Sequence, residues 1–238
     1  MTQSDFPARR AAILDRIAAA CRAAGRDPSE VRLLAASKTR TAEDVRAALS
    51  AGHRLFGENR AQELRDKSSA LRGDRPVPEW HFIGPLQRNK VRYVVGTATL
   101  IHALDSRRLA EAISKRAALL RERGELSEDV GLLVEVNVGA EQSKAGVPPQ
   151  EALALAVFAD SLPCVQVRGL MCIPPAVSNP EDAAPYFATM AALAAEGRAA
   201  GLSLDELSMG MSGDFEVAVR HGATLVRVGT ALFGPRRR

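Results

Sequence analysis

The chain is short of several things, and each shortage removes a class of protein. No apolar run in its 238 residues approaches the ~20 positions a membrane helix needs. Residues 1–10 lack the apolar centre of a signal peptide. Cys21, Cys164 and Cys172 are scattered, without metal-ligand spacing, so neither a zinc site nor a disulfide framework is expected. That usage suits a reducing, cytoplasmic setting. One tryptophan and two tyrosines are too few for an extended base-stacking platform. The net charge of +4 and pI near 9.2 raise the question of nucleic acid. The arginines, however, alternate with acids along helical segments, and only Arg236-Arg237-Arg238 is a pure basic run. Basicity is therefore read as solvated surface, with no membrane and no nucleic-acid partner expected, and the chain is read as a monomer. No linker or change of composition divides it.

Lysine is scarce as well. Five lysines (Lys38, Lys67, Lys90, Lys115 and Lys144) stand against 27 arginines among the 32 basic residues. Where charge alone is wanted, this chain uses arginine. A lysine can also lose its proton and form a Schiff base with an aldehyde, which arginine cannot.

What is present is a repeating pattern. Apolar runs read as strands at 31–36, 54–59, 80–84, 99–104, 132–138, 165–172, 206–210 and 224–230. Helical spacing lies between them, at 41–50, 61–71, 87–95, 106–123, 149–161, 180–200 and 214–220. A further helix precedes them within 8–25, clearest over 11–24. Thr41 with Asp44 reads as a capping signal, and Ser106 as another N-cap. Eight strands alternating with helices predict an α/β chain: one (β/α)8 TIM barrel over about 31–234. The alternative, a doubly wound open sheet, usually carries a Gly-rich turn after its first strand. Ser37-Lys38-Thr39-Arg40 is not one.

Lys38 then falls at the C-terminal end of a parallel strand, where barrels place their chemistry. On the strand alone, a lysine that merely snorkels to solvent fits equally well. Turns after strands seven and eight often bind phosphate. Here they are Ser208-Met-Gly-Met-Ser212-Gly213-Asp214 and Arg227-Val-Gly229-Thr230. Ser212 and Thr230 offer hydroxyls, helix starts offer N–H groups, and Gly229 allows close approach. Arg227 alternates with Val226 and Val228, so it points either into the barrel or outward to a helix carboxylate.

Six segments carry a more specific likeness. They are Leu34-Ala-Ala-Ser-Lys38-Thr39, Phe56-Gly-Glu-Asn59, Trp80-His-Phe-Ile-Gly-Pro-Leu-Gln87-Arg-Asn-Lys90, Gly169-Leu-Met, Leu207-Ser-Met-Gly-Met-Ser212 and Val226-Arg-Val-Gly-Thr-Ala-Leu-Phe-Gly234. Together they resemble the YggS/PROSC family of pyridoxal 5′-phosphate homeostasis proteins, whose fold is similar to the barrel domain of alanine racemase. The resemblance implies that Lys38 carries the cofactor as a Schiff base. It also implies that Ser212, Gly229 and Thr230 hold the phosphate, that Arg227 faces the pyridine nitrogen, and that Asn59 lies near the ring.

Other residues stay open at this point. His81 is either a ligand-side group or an interior histidine. Met171 and Met209 pack on the ring or in the core. Glu58 and Asn59 end the second strand, so either reaches the rim and one caps the next helix. Glu135 and Asn137 are expected to share an interior polar face. Lys144 is a surface charge or a second amine near the mouth, with the surface favoured.

By the same resemblance, alanine racemases use a tyrosine from an added β domain as a second acid/base. The sequence stops at Arg238, soon after the eighth strand, and its tyrosines, Tyr93 and Tyr186, lie on expected helices. The expected function is therefore binding, storing and delivering pyridoxal 5′-phosphate, with cofactor-dependent apoenzymes as recipients and without efficient catalysis. A one-domain racemase-like enzyme is the alternative. A barrel enzyme acting on a phosphorylated sugar without a cofactor is the third.

Overall fold

A computed structural model describes residues 5–141 and 144–235. The basic run at 236–238 lies outside them. Eight strands close a parallel barrel in sequence order. They are β1 (Arg32–Ala36), β2 (Leu55–Glu58), β3 (Glu79–Phe82), β4 (Leu100–Leu104), β5 (Val130–Glu135), β6 (Val165–Met171), β7 (Glu206–Ser208) and β8 (Leu225–Val228). β8 pairs back onto β1, with Leu34 opposite Arg227 and Ala35 opposite Val228.

Alternation along the strands separates two apolar regions. Leu34, Leu55, Leu100, Leu133, Met171 and Leu225 point inward and fill the barrel as a small cluster of their own. Their neighbours Leu33, Ala35, Phe56, Phe82, Ile101, Leu132, Val226 and Val228 point outward into a larger core shared with the helices. The strands are apolar on both faces because both faces are covered.

The helices are α1 (Phe6–Ala23), α2 (Ala42–Ser50), α3 (Ala61–Ala70), α4 (Arg107–Glu122), α5 (Pro149–Asp160), α6 (Ala184–Ala199), α7 (Phe215–Arg220) and α8 (Thr230–Phe233). α1 lies across α7 and α8 and is tied by Arg16, which donates to both Glu216 oxygens at 2.8 and 2.7 Å. Two expected caps form. Asp44 N donates to Thr41 Oγ1 at 3.1 Å, with the return bond at 3.0 Å, and Leu109 N donates to Ser106 Oγ at 3.3 Å.

Three segments differ from the sequence reading. The helix expected at 87–95 is a 3-10 helix of six residues, Arg88–Tyr93. Val91, Tyr93, Val94 and Val95 are poor helix formers, and Gly96 ends the segment at φ +93°. The helix expected at 180–200 begins as a 3-10 turn, Pro180–Ala183, because Pro185 belongs in the first turn of an α-helix. The eighth strand ends at Val228. Gly229 breaks the ladder and Thr230 starts α8, which the sequence reading did not contain. Among the described residues no helix is long and apolar enough to cross a membrane.

Candidate functional site

Strand β1 delivers Lys38 to the barrel mouth. β1 ends at Ala36, and Lys38 follows two residues later at the C-terminal end of the barrel, where it is exposed. Lys38 and Thr39 form the centre of a turn closed by Arg40 N donating to the Ser37 carbonyl at 2.9 Å. Thr39 sits at φ +65°, an unfavourable value for a β-branched residue.

A charged network outside the barrel wall holds that turn. Ser37 and Glu58 point outward from β1 and β2 and are fully buried. Lys67 of α3, 8% exposed, donates to the Ser37 carbonyl at 2.8 Å and to Glu58 Oε1 at 2.7 Å. Ser37 Oγ donates to the same Glu58 oxygen at 2.6 Å. Glu63 accepts from Lys67 at 3.4 Å and from the Thr39 amide at 3.0 Å. Burial pushes the Glu58 carboxyl above the usual carboxylate range, against the pull of Lys67. Glu58 Oε2 is buried with no partner among the described residues. Glu58 is thus neither a rim ligand nor a helix cap. Asn59, the next residue, is half-buried. Gly84 packs so closely on it that a Cβ at 84 would come within 2.3 Å of the Asn59 carbonyl oxygen.

The other side of the mouth is built by β7, β8 and their turns. Arg227 points inward, two residues beyond Leu225 of the inner cluster, and is 5% exposed. This excludes the outward orientation. Its Nη1 donates to Ser208 Oγ at 2.5 Å and its Nη2 to the Cys172 carbonyl at 2.8 Å. The Gly229 Cα faces the end of β1, since a Cβ there would lie 3.3 Å from the Ala36 carbonyl oxygen. Gly229 and Thr230 therefore adjoin the strand that carries Lys38. Ser212 lies in the turn before α7, half-buried. In the same loop Gly210, at φ +89°, leaves no room for a side chain: a Cβ would stand 2.6 Å from that of Ala218. Neither α7 nor α8 has a side-chain cap at its N-terminus.

The remaining candidates separate by face. His81 lies inside the barrel, with Nδ1 3.0 Å from His102 Nε2. His102 was not singled out in the sequence reading. Its only signal there is a polar residue inside the apolar run 99–104. Met171 belongs to the inner cluster and Met209 to the outer core, so Met209 does not face the mouth. Glu135 ends β5 facing inward, and burial, together with Asp105, raises its carboxyl to about 7 against the pull of Arg227. Asn137 lies beyond the strand end, where its side-chain amide and the Glu141 backbone bond each other at 2.8 and 3.2 Å. Lys144 donates to the Pro174 carbonyl at 3.0 Å and pairs with Glu141, joining the loops after β5 and β6. Burial pushes the Cys172 thiol up to about 12. Among the described residues no group of histidine, cysteine and acidic side chains could hold a metal ion.

A parallel barrel with a lysine at the end of its first strand, an inward arginine on its eighth and small residues at the turns after strands seven and eight defines a class. The family model described as "Alanine racemase, N-terminal domain" matches residues 9–237. The alanine racemase of Corynebacterium glutamicum superposes with a TM-score of 0.64 at 16% identity, over 95% of this chain and 62% of that one, a likeness of fold alone. Two fuller similarities narrow the class. A pyridoxal phosphate homeostasis protein of Aquifex aeolicus is 47% identical over 230 residues, covering 96% of this chain and 97% of its own. The structure of PipY from Synechococcus elongatus with PLP bound has a TM-score of 0.77 at 38% identity, over 93% of this chain and all of that one. The chain therefore belongs to the pyridoxal phosphate homeostasis protein family within that class.

Proposed function

We propose that the protein binds pyridoxal 5′-phosphate through Lys38 as a Schiff base and keeps or passes on the cofactor within the cell, without efficient catalysis. The observation that carries the reading is a lysine just beyond the end of β1, the strand whose end Gly229 faces, in a family whose members are named for this cofactor. The residues fit the group. Lys38 would supply the primary amine that an aldehyde needs to be held as a Schiff base. Ser212 and Thr230 supply hydroxyls to the phosphate, and the amides of the uncapped turns add donors. Arg227 keeps its proton, so beside it a ring nitrogen stays neutral and accepts a hydrogen bond. Asn59 stands at the end of the strand paired with β1. The cofactor, when bound, supplies an aldehyde that amines exchange and an electron-accepting ring. A neutral ring nitrogen weakens the second property more than the first. Apoenzymes that require the cofactor are the proposed recipients.

One observation favours a racemase-like reading. Glu135, raised to about 7, stands on β5, four strands from β1 in either direction and so across the barrel from Lys38. A carboxyl poised near neutrality both gives and takes a proton readily.

The test is to load the protein with pyridoxal 5′-phosphate, reduce with borohydride and map the pyridoxyl group. It is expected at Lys38 and absent from Lys38→Ala. A label chiefly at Lys144 or Lys90 would overturn the assignment. The loaded protein is then given L- and D-alanine. Turnover at ~1 s⁻¹ or faster, lost in both Lys38→Ala and Glu135→Gln, would establish the racemase-like reading instead.

A further inference from the structure

The barrel interior holds a row of polar groups that the cofactor reading leaves unused. It begins at the N-terminal end of the barrel and ends at Arg227. Glu79 Oε1 lies 3.2 Å from His81 Nε2. His81 Nδ1 lies 3.0 Å from His102 Nε2, and His102 Nδ1 lies 2.9 Å from Ser208 Oγ. Ser208 Oγ accepts from Arg227 Nη1 at 2.5 Å. His81, His102, Ser208 and Arg227 are all buried.

The Glu79 end, with both rings neutral, fixes the direction of every link. A carboxylate only accepts, so His81 carries its hydrogen on Nε2 and its Nδ1 accepts from His102 Nε2. His102 Nδ1 then has no hydrogen and accepts from the Ser208 hydroxyl. The Ser208 oxygen accepts in turn from Arg227, which only donates. Each link has one donor and one acceptor with both imidazoles neutral. Burial supports that state by holding both rings below their ordinary pKa, and Arg227 lowers His102 further.

We propose that Ser208, His102 and His81 form a one-way hydrogen-bond chain that locks the Arg227 guanidinium in place, and that Ser208 and His102 are therefore positioning residues of the cofactor site. The reading of Arg227 as partner of the ring nitrogen rests on the proposed function; the direction of the chain does not. Two of the five guanidinium N–H groups are committed, to Ser208 and to the Cys172 carbonyl. The plane of the guanidinium is thereby set before any ligand arrives, and ordering it costs nothing on binding. The two groups that the guanidinium bonds are a hydroxyl and a carbonyl, so its direct partners in the chain include no carboxylate.

The test has two arms. The first uses the cofactor-free protein and reads histidine tautomers by ¹⁵N NMR at pH 7.5. His81 and His102 are both expected to be neutral with hydrogen on Nε2. Hydrogen on Nδ1 of either ring, or a charged ring, would overturn the chain. The second arm compares retention of pyridoxal 5′-phosphate in variants whose fold is checked by circular dichroism. His102→Leu breaks the chain and should weaken retention about tenfold. His102→Gln should recover most of the loss, because its carbonyl accepts from Ser208 and its amide donates to His81. If His102→Leu does not fold, Ser208→Ala reads the same link. Unchanged retention in a folded chain-breaking variant, or equal loss in His102→Leu and His102→Gln, would overturn the positioning role. A parent protein that takes up no cofactor would overturn the proposed function and the positioning role together, while the tautomers would still decide the chain.

Discussion

The two sides of the barrel mouth are braced by opposite means. Beneath Lys38 the brace is charged and lies outside the wall, between strands and helix: Lys67, Glu58 and Glu63 grip Ser37 and Thr39. Beneath Arg227 it is built of neutral groups and lies inside the wall: Ser208, His102 and His81. The difference follows from what each side must hold. The lysine turn contains a backbone angle that Thr39 does not adopt freely, so strong, charge-assisted bonds are needed to keep it. Arg227 needs only a fixed plane, and a carboxylate among its partners would change its chemistry. Charge serves to hold strain on one side, and its exclusion preserves a donor on the other.

The largest effect should come from breaking the charged brace. Lys67→Met leaves Glu58 buried beside an apolar group. Removing one partner of a buried ion pair typically costs ~3–5 kcal/mol, and urea denaturation should show a loss of that size. Replacing both members, in Glu58→Leu/Lys67→Met, should recover much of it, since a matched apolar pair leaves no stranded charge. A loss below ~1 kcal/mol in the single variant would mean that the pair behaves like an exposed one, and the contrast between the two sides would fail.

Acidity should separate the sides next. His81 and His102 sit below the ordinary histidine value of 6.5 because they are buried, and His53, bonded to the Leu55 carbonyl, falls to about 4 for the same reason. The unfolded chain therefore binds more protons below pH 6.5. Stability from these groups is complete above 6.5 and is lost as the pH falls. Glu135 has the opposite sign. Its folded value of about 7 exceeds the ordinary 4.5, so its contribution is complete below 4.5 and is lost as the pH rises through 7. A shift of that size corresponds to roughly 3 kcal/mol. Glu135→Gln should match the parent near pH 4 and exceed it in stability by up to that amount at pH 8, with the acid-side decline unchanged. A constant difference across the range would show that Glu135 does not titrate near neutrality.

These contrasts also explain what was legible in the sequence. The strands were legible because both faces of each are apolar, and Lys38 stood out because it interrupts such a run where parallel barrels open. Arg227 was ambiguous in orientation only, and closure of β8 onto β1 resolves it. Lys67 was not legible. In α3 it stands four residues after Glu63, a spacing that reads as a solvent-face ion pair. Its burial depends on Glu58 pointing outward from a different element. His102 was hidden for a related reason: one polar residue in an apolar strand has no visible partner until β3, β4 and β7 face one another across the interior. The expected helix at 87–95 failed locally, on weak helix formers. The brace residues failed to show because their meaning lies in contacts between elements.

The smallest effect tests the strain itself. Thr39 at φ +65° carries a cost of about 1–2 kcal/mol for an L-residue with a side chain. Glycine adopts that angle freely, but it adds about 0.5–1 kcal/mol of backbone entropy to the unfolded state. Thr39 is exposed, and the Glu63 bond uses its backbone amide, so no side-chain contact of the brace is lost on substitution. Thr39→Gly should therefore raise stability slightly, by up to ~1 kcal/mol. It should also loosen the turn that aims Lys38, because glycine opens conformations that threonine forbids. The prediction is a pair of readouts with opposite signs: a slightly higher urea midpoint and a cofactor half-life shortened roughly twofold to fivefold, equivalent to less than ~1 kcal/mol. The matching change across the mouth, Thr230→Gly, involves no such angle and should lower stability instead. If Thr39→Gly lowers the stability by more than ~1 kcal/mol, the turn is a relaxed one, and the charged brace beneath it holds position alone.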